Sequence, residues 1–220
     1  MIHPDTEVRF ISDEVGYGVV VTRPIPRGTV LWIRCLLDLN FTPDQAAALP
    51  EPYQQVLAKY AYIEPTGNYV LCWDGGRYVN HSCDPAMLGV GRDFEVAVRD
   101  LVPGDQVTCE YGSLNLTGRL ACHCGAATCR GSIGGEDVLH LWQGWDRTVA
   151  ESLAAAPAVP QPLLEFARDQ QLFWDYVSGK TRVPSHRAYF AGLKEVSSTP
   201  GEALPWSLPS RRTAAHGGEA

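Results

Sequence analysis

The 220-residue sequence has no membrane-length apolar run: nothing approaches the roughly 18 hydrophobic residues a spanning helix needs. It has no secretory pattern, because Met1-Ile2-His3-Pro4-Asp5 shows no basic segment followed by an apolar one. Positive charge is also scarce. Lys and Arg number 18 against 25 Asp and Glu, the formal net charge is −7, and no basic patch shows along the chain. These absences predict an intracellular protein, cytoplasmic or, in a eukaryote, nuclear, with no membrane and no direct nucleic acid among its partners. An acidic chain better suits a basic partner such as a Lys-rich protein segment.

What is present points to a globular protein: 45% hydrophobic and 20% charged residues. The length suffices for one domain and an appendage, with a core that needs no disulfides. The seven cysteines are odd in number, and disulfides are disfavoured inside cells. Cys35 and Cys72 lie in apolar or aromatic surroundings and read as small buried hydrophobes. Asn80-His81-Ser82 and Asn115-Leu116-Thr117 match the glycosylation sequon, but without a secretory leader they are not read as acceptors.

Short strands are predicted over Val19–Val21, Thr29–Ile33, Tyr69–Trp73, Phe94–Val98 and Gln106–Tyr111, each bounded by Gly, Pro or Asp. Thr42 and Pro43 signal a helix start, and apolar positions over 53–63 have helical spacing. Beyond residue 135 the pattern turns helical: one helix through Val138–Leu153, a second over Leu163–Tyr176 and a third over His186–Val196. Residues 197–220 read as a low-complexity mobile tail.

Two polar clusters carry the chemistry. Arg77-Tyr78-Val79-Asn80-His81-Ser82-Cys83-Asp84-Pro85 reads as a strand running into a polar turn, and that turn admits three readings: a hydrogen-bonded loop, a metal site or part of a nucleophilic site. Cys122-His123-Cys124 followed by Cys129-Arg130-Gly131 places three thiols within eight residues, a spacing that favours zinc ligation over a disulfide, with free cysteines as the alternative. Three thiolates leave one position open. His123 is poorly placed to share the metal with its neighbours, and Cys83 is the attractive fourth candidate.

Together these elements resemble the SET family of protein lysine methyltransferases over residues 6–134. Gly16-Tyr17-Gly18 matches the early Gly-x-Gly, Arg77 to Pro85 the Asn-His-Ser-Cys core, Leu101 to Tyr111 the closing block and the Cys-x-Cys-x4-Cys run the post-SET zinc motif. The resemblance implies a mainly β fold of small curved sheets with a pseudoknot. A SET domain would span 6–112, carry a short helical insert, and be followed by a post-SET zinc loop over 113–134 and a helical C-terminal extension over 135–196. The knot would set Asn80-His81 beside Tyr111. S-adenosylmethionine would contact Gly16, Tyr17, Gly18, Arg77, Asn80, His81 and Tyr111. A target lysine on a histone or non-histone protein would enter from the opposite face, with Tyr111 as the catalytic residue. Structural Zn2+ would be held by Cys83, Cys122, Cys124 and Cys129.

The sequence departs from the family pattern at Ala86, where Asn is usual, at Glu110, where Asp is commoner, and at Cys109. The last position is often Phe or Tyr. A small Cys109 beside Tyr111 in the substrate pocket implies room for di- or trimethylation. Two rival functions remain at this level: an inactive SET fold that binds a peptide, and a methyltransferase acting on a nucleophile other than lysine. The C-terminal helices are expected to pack on the core, with an interface role as the alternative.

Overall fold

A computed structural model of the chain describes residues 1–190. In chain order the regular elements are β1 (Thr6–Ser12), β2 (Gly16–Val21), β3 (Val30–Ile33), β4 (Leu39–Phe41), α1 (Pro43–Ala47), α2 (Glu51–Tyr60), β5 (Ala61–Ile63), β6 (Tyr69–Leu71), β7 (Asn80–His81), β8 (Met87–Val90), β9 (Phe94–Ala97), β10 (Gln106–Cys109), β11 (Arg119–Ala121), β12 (Ser132–Gly134), α3 (Val138–Leu153) and α4 (Gln170–Val177). They form four small sheets: β1-β2-β10-β7, β3-β9-β8, β4-β6-β5 and β11-β12. All pairings are antiparallel except that of β7 with β10.

The parallel pair is short but consequential. Thr108 lies opposite Asn80 and Cys109 opposite His81. The Ser82 N–H adds a bond to the Cys109 carbonyl at 3.1 Å. Parallel neighbours need a crossover. Here it runs through β8 and β9, so the polar cluster near residue 80 is clamped against the end of the closing block.

Where the elements differ from expectation, local side chains explain it. The segment before Asn80 is not a strand: the Asp74 carboxylate accepts the Gly76 N–H at 3.0 Å and winds Gly75–Tyr78 into a 3-10 turn. The helix expected over 53–63 stops at Tyr60, because Ala61–Ile63 pair with Tyr69–Leu71 as strands. Residues 163–176 divide into a 3-10 turn at Leu164–Phe166 and α4, whose N-cap Asp169 accepts the Leu172 N–H at 2.9 Å. A 3-10 turn occupies His186–Tyr189. The remainder of that expected third helix and the expected tail at 197–220 lie outside the described residues.

Thr42 caps α1 as its sequence suggests, in a reciprocal capping box with Gln45. Cys35 and Cys72 are buried. The helices after residue 135 dock on the β3-β9-β8 sheet: Val138, Trp145, Val149, Leu153 and Phe173 share one core with Val30, Ile33, Leu88, Val90 and Phe94. The Phe94 and Phe173 rings sit 5.3 Å apart.

Phe173 is fully buried. Phe173→Ala removes its ring and leaves a cavity, and is expected to cost about 3–5 kcal/mol in urea denaturation. A loss under about 1 kcal/mol would show that α4 is not part of the cooperative core.

Candidate active site and thiol cluster

Gly16, Tyr17 and Gly18 lie on β2, beside β10. Gly16 takes a positive φ of 83°, the backbone conformation that favours glycine. A Cβ on Gly18 would lie 2.8 Å from Asn80 Nδ2 and from Gln106 Oε1, so glycine lets these two side chains close on the strand. Asn80 Nδ2 donates to the Tyr17 carbonyl at 3.1 Å and to Gln106 Oε1 at 2.7 Å. The Tyr17 ring is more than half exposed and stands between Phe10 and Tyr78, at centroid distances of 5.8 and 6.0 Å. Arg77 lays its guanidinium 5.9 Å from the Tyr78 ring centroid and donates to the carbonyls of Trp73 and Asp74. The face thus offers glycine backbone, an open aromatic surface and a fixed amide, a combination that suits a flat heterocycle carrying a cationic centre.

Tyr111 follows β10. Its N–H donates to His81 Nδ1 at 3.2 Å, and its hydroxyl donates to the Val79 carbonyl at 2.7 Å. The His81 and Tyr111 rings are 5.4 Å apart. Burial pushes the Tyr111 phenol well above its ordinary pKa, with Cys109 adding to the shift. The hydroxyl therefore stays protonated, with its hydrogen committed to Val79 and its lone pairs available. Tyr111 and the buried Cys109 line a cavity of about 270 Å³ that reaches Arg77 and Tyr60. Trp32, Tyr62, Met87 and Glu95 line it too.

The four thiols converge from two segments. β11 and β12 close a neck around the cysteine loop, with the Cys122 N–H bonded to the Gly131 carbonyl at 3.0 Å. Cys122 Sγ lies 3.8 Å from Cys83 Sγ and 3.7 Å from Cys129 Sγ. Those separations are too long for a disulfide. They match the edge of a thiolate tetrahedron with metal–sulfur bonds of about 2.3 Å, which is roughly 3.8 Å. Cys124 Sγ accepts the Cys83 N–H, and Cys83 Sγ accepts the Arg130 N–H, each at 3.4 Å. Burial raises the Cys124 thiol, but the N–H groups of Cys83 and Ala126 and its neighbouring thiols outweigh burial and bring it to about 6, while burial raises Cys83 and Cys122. The spacing and type of the four donors fit a soft cation.

His81 joins this group, and its imidazole could hold a metal together with Cys83, Cys122 and Cys124. The hydrogen bonding argues for another role. Burial lowers the His81 pKa against the opposing pull of Glu110. Nδ1 of the neutral ring accepts from Tyr111, so the proton belongs on Nε2, which faces Cys83 Sγ at 3.3 Å. In that tautomer His81 donates to a thiolate, which leaves Cys129, 3.7 Å from Cys122 Sγ, as the candidate fourth sulfur.

Glu110 and Arg130 were not singled out as a pair from the sequence. Glu110 is 1% exposed and accepts both terminal nitrogens of Arg130, at 2.9 and 2.7 Å, plus the Gly112 N–H. Arg130 also reaches Asp137 at 3.2 Å. The two residues stand in the two motif blocks, yet nothing in their spacing shows that they meet. Glu95 and Tyr62, facing the cavity, were missed for a plainer reason: each sits in a short strand-like run. Ala86, where the family usually has Asn, is fully buried and bonds through its backbone to Thr108.

The SET-domain family model matches residues 16–112. This chain contains a SET domain. It is 28% identical over 149 residues to Histone-lysine N-methyltransferase ash1 of Drosophila melanogaster, covering 58% of this chain and 6% of that protein. It is 44% identical over 69 residues to Histone-lysine N-methyltransferase Set2 of the same fly, covering 27% of this chain and 3% of Set2. The chain thus spans only a small fraction of these curated relatives. A crystal structure of KRYPTONITE in complex with mCHG DNA and SAH aligns with TM-score 0.42 and 22% identity, over 58% of this chain and 28% of that one.

Glu110→Ala strips the buried partner from Arg130. It is expected to lower unfolding free energy by about 3 kcal/mol, and guanidinium denaturation compared with wild type checks this. An unchanged midpoint would show that the ion pair does not tie the cysteine loop to the core.

Proposed function

We propose that this SET domain is an S-adenosylmethionine-dependent protein-lysine N-methyltransferase whose cysteine loop is held by structural zinc. The observation that carries the reading is the Tyr111 hydroxyl, pinned to the Val79 carbonyl in the wall of a cavity beside the Asn80–His81 strand. The named relatives are histone-lysine methyltransferases, which supports a protein substrate presenting lysine, histone or non-histone.

Bound S-adenosylmethionine supplies an electrophilic methyl group on a sulfonium. The backbone of Gly16, Tyr17 and Gly18 would lie along it, with the Tyr17 ring toward its charge, while Arg77, Asn80 and His81 shape the pocket edge. Both His81 ring nitrogens are engaged inside the fold, so its backbone is the part left for the cofactor. Tyr111 is the catalytic residue. Its lone pairs would accept from the approaching amine and from the polarised methyl C–H groups. The lysine amine attacks only when neutral, and burial lowers its ordinary pKa of about 10.4. In-line positioning does the rest. Cys109 leaves space beside the amine, which supports di- or trimethylation.

Cys83, Cys122, Cys124 and Cys129 would hold Zn2+ and so fix the loop over 113–134 against the 6–112 domain, with a helical extension following from residue 135. No helix among the described residues is long and apolar enough to cross a membrane. The histone enzymes among the relatives support a nuclear or cytoplasmic site of action.

Incubation with methyl-labelled S-adenosylmethionine and histones or ribosomal proteins tests the reading. Wild type is expected to transfer label to lysine, and Tyr111→Phe to lose activity by a factor on the order of 10². Transfer to another residue type, or cofactor binding with no transfer, would replace lysine methylation with one of the rival functions. Cys109→Phe is expected to shift products toward monomethyl-lysine in mass spectra. Wild type that makes only monomethyl-lysine would refute the roomy pocket. Chelation is expected to abolish transfer, and added zinc to restore it. Full activity after metal removal would rule out a structural metal.

A further inference from the structure

The cavity beside Tyr111 is lined by three residues with a polar atom that the fold leaves unpartnered: Glu95, Tyr62 and His186, whose other ring nitrogen is bonded to Asp146. Glu95 lies on β9 opposite Trp32 of β3 and Gly89 of β8. Its strand neighbours Phe94 and Val96 are buried in the core under the C-terminal helices. The alternation of the strand turns Glu95 the other way, into the cavity shared with Cys109 and Tyr111. Gly89 adds no side chain between them. Glu95 Oε2 is sealed from solvent and has no hydrogen-bond partner among the described residues, and the same is true of the Tyr62 hydroxyl on β5. Both residues line the cavity, and the Glu95 charge acts on Tyr62 and on Cys109 alike.

Such atoms are costly. A buried polar group without a partner destabilises a fold, and an ionised carboxylate does so more. Three of them around one cavity point to a missing ligand, and Glu95 with Tyr62 makes up its oxygen-bearing side. The chemistry of the pair says what kind. A carboxylate oxygen accepts only, and a tyrosine hydroxyl accepts as well as donates. A ligand with several N–H donors and a positive charge satisfies both. Arg34, the cation whose charge also reaches Tyr62, pairs with Glu64 through a terminal nitrogen and keeps its Nε–H without a partner. Burial alone acts on Glu95, so its carboxylate is left to be neutralised from outside.

We propose that Glu95 and Tyr62 form an ammonium-binding subsite in the cavity, selecting an unbranched primary amine head by charge and by N–H donation. The inference rests on the reading of this cavity as the lysine channel and assigns the residues that recognise the amine there. Burial raises the Glu95 carboxyl to about 7. Close to neutral pH the group is thus balanced between its two forms, and an arriving ammonium favours the ionised one. Each methyl added to the amine removes one N–H, so the pair grips an unmethylated head best. Cys109 sets how much room the head has, and Glu95 with Tyr62 sets how firmly it is held.

The chain has two methionines, Met1 and Met87, and Met87 lines the same cavity. Protein labelled at the methionine methyl carbons therefore gives a local probe by NMR. n-Butylamine, which carries the head and four-carbon stem of lysine, is titrated at about pH 8, above the carboxyl value of about 7 and below that of the amine. The Met87 signal is expected to shift saturably while the Met1 signal stays. 1-Butanol, equal in length and uncharged, should need at least about tenfold higher concentration, and Glu95→Gln should weaken the amine about tenfold or more. Tyr62→Phe keeps the ring and should weaken it less. An undisturbed Met87 spectrum in the absence of amine confirms that each variant is folded. Should Glu95→Gln misfold, the Tyr62→Phe titration and the butanol comparison decide alone. Equal responses to butanol and butylamine, an amine response that survives both substitutions, or no saturable response in wild type would overturn the subsite. The readout needs no methyl transfer. An inactive protein that still binds butylamine through Glu95 would refute the enzyme and keep the subsite, and an active one that does not would do the reverse.

Discussion

The parallel pairing of Asn80–His81 with Thr108–Cys109 is the constraint on which the rest of the structure depends. It amounts to two residues on each strand, an arrangement that would not hold alone in water. It persists because each strand is anchored by something larger. On one side β10 continues into a sheet with β2 and β1. On the other, Cys83 lies two residues past the end of β7 and belongs to the thiol cluster. The pairing therefore stands between the aromatic face around Tyr17, the cavity beside Tyr111 and the cysteine loop. His81 shows how tightly the three are joined, with one ring nitrogen bonded to the Tyr111 backbone and the other facing the Cys83 sulfur.

Much of this is legible in the order of residues, and the parts that are not fail for identifiable reasons. Strands with a clear apolar run, such as Val19–Val21 and Phe94–Ala97, appear where the pattern puts them. Thr42 and Gln45 announce the start of α1 through side-chain chemistry that is entirely local. Tyr60–Ile63 fits both helical and strand periods, and only the partner strand at Tyr69–Leu71 decides between them. The turn at Gly75–Tyr78 depends on one Asp74 carboxylate. The convergence of residues 80 and 111 is outside the reach of periodicity and follows from the family resemblance alone. Convergence of the thiols is half readable: Cys122, Cys124 and Cys129 share a loop, whereas Cys83 arrives from 39 residues away.

Charged groups in the interior divide into those the fold satisfies and those it does not. Glu110 belongs to the first kind. Its carboxylate is closed by both terminal nitrogens of Arg130 and by a backbone N–H, so it fastens the cysteine loop to the end of β10. Glu95 belongs to the second. It looks in the sequence like any residue of an alternating strand, and only the sealing of its Oε2 inside a cavity marks it out. The proposed amine subsite is what would give that oxygen a partner.

Amide hydrogen exchange measures the central pairing directly. The N–H of Ser82, bonded to the Cys109 carbonyl, and that of Tyr111, bonded to the His81 ring, are the two reporters. The account predicts that both exchange among the slowest amides of the protein, close to the rate set by global unfolding. Exchange of both at the rate of unprotected loop amides in the folded protein would show that the β7–β10 clamp does not hold, and would contradict the architecture on which the proposed site is built.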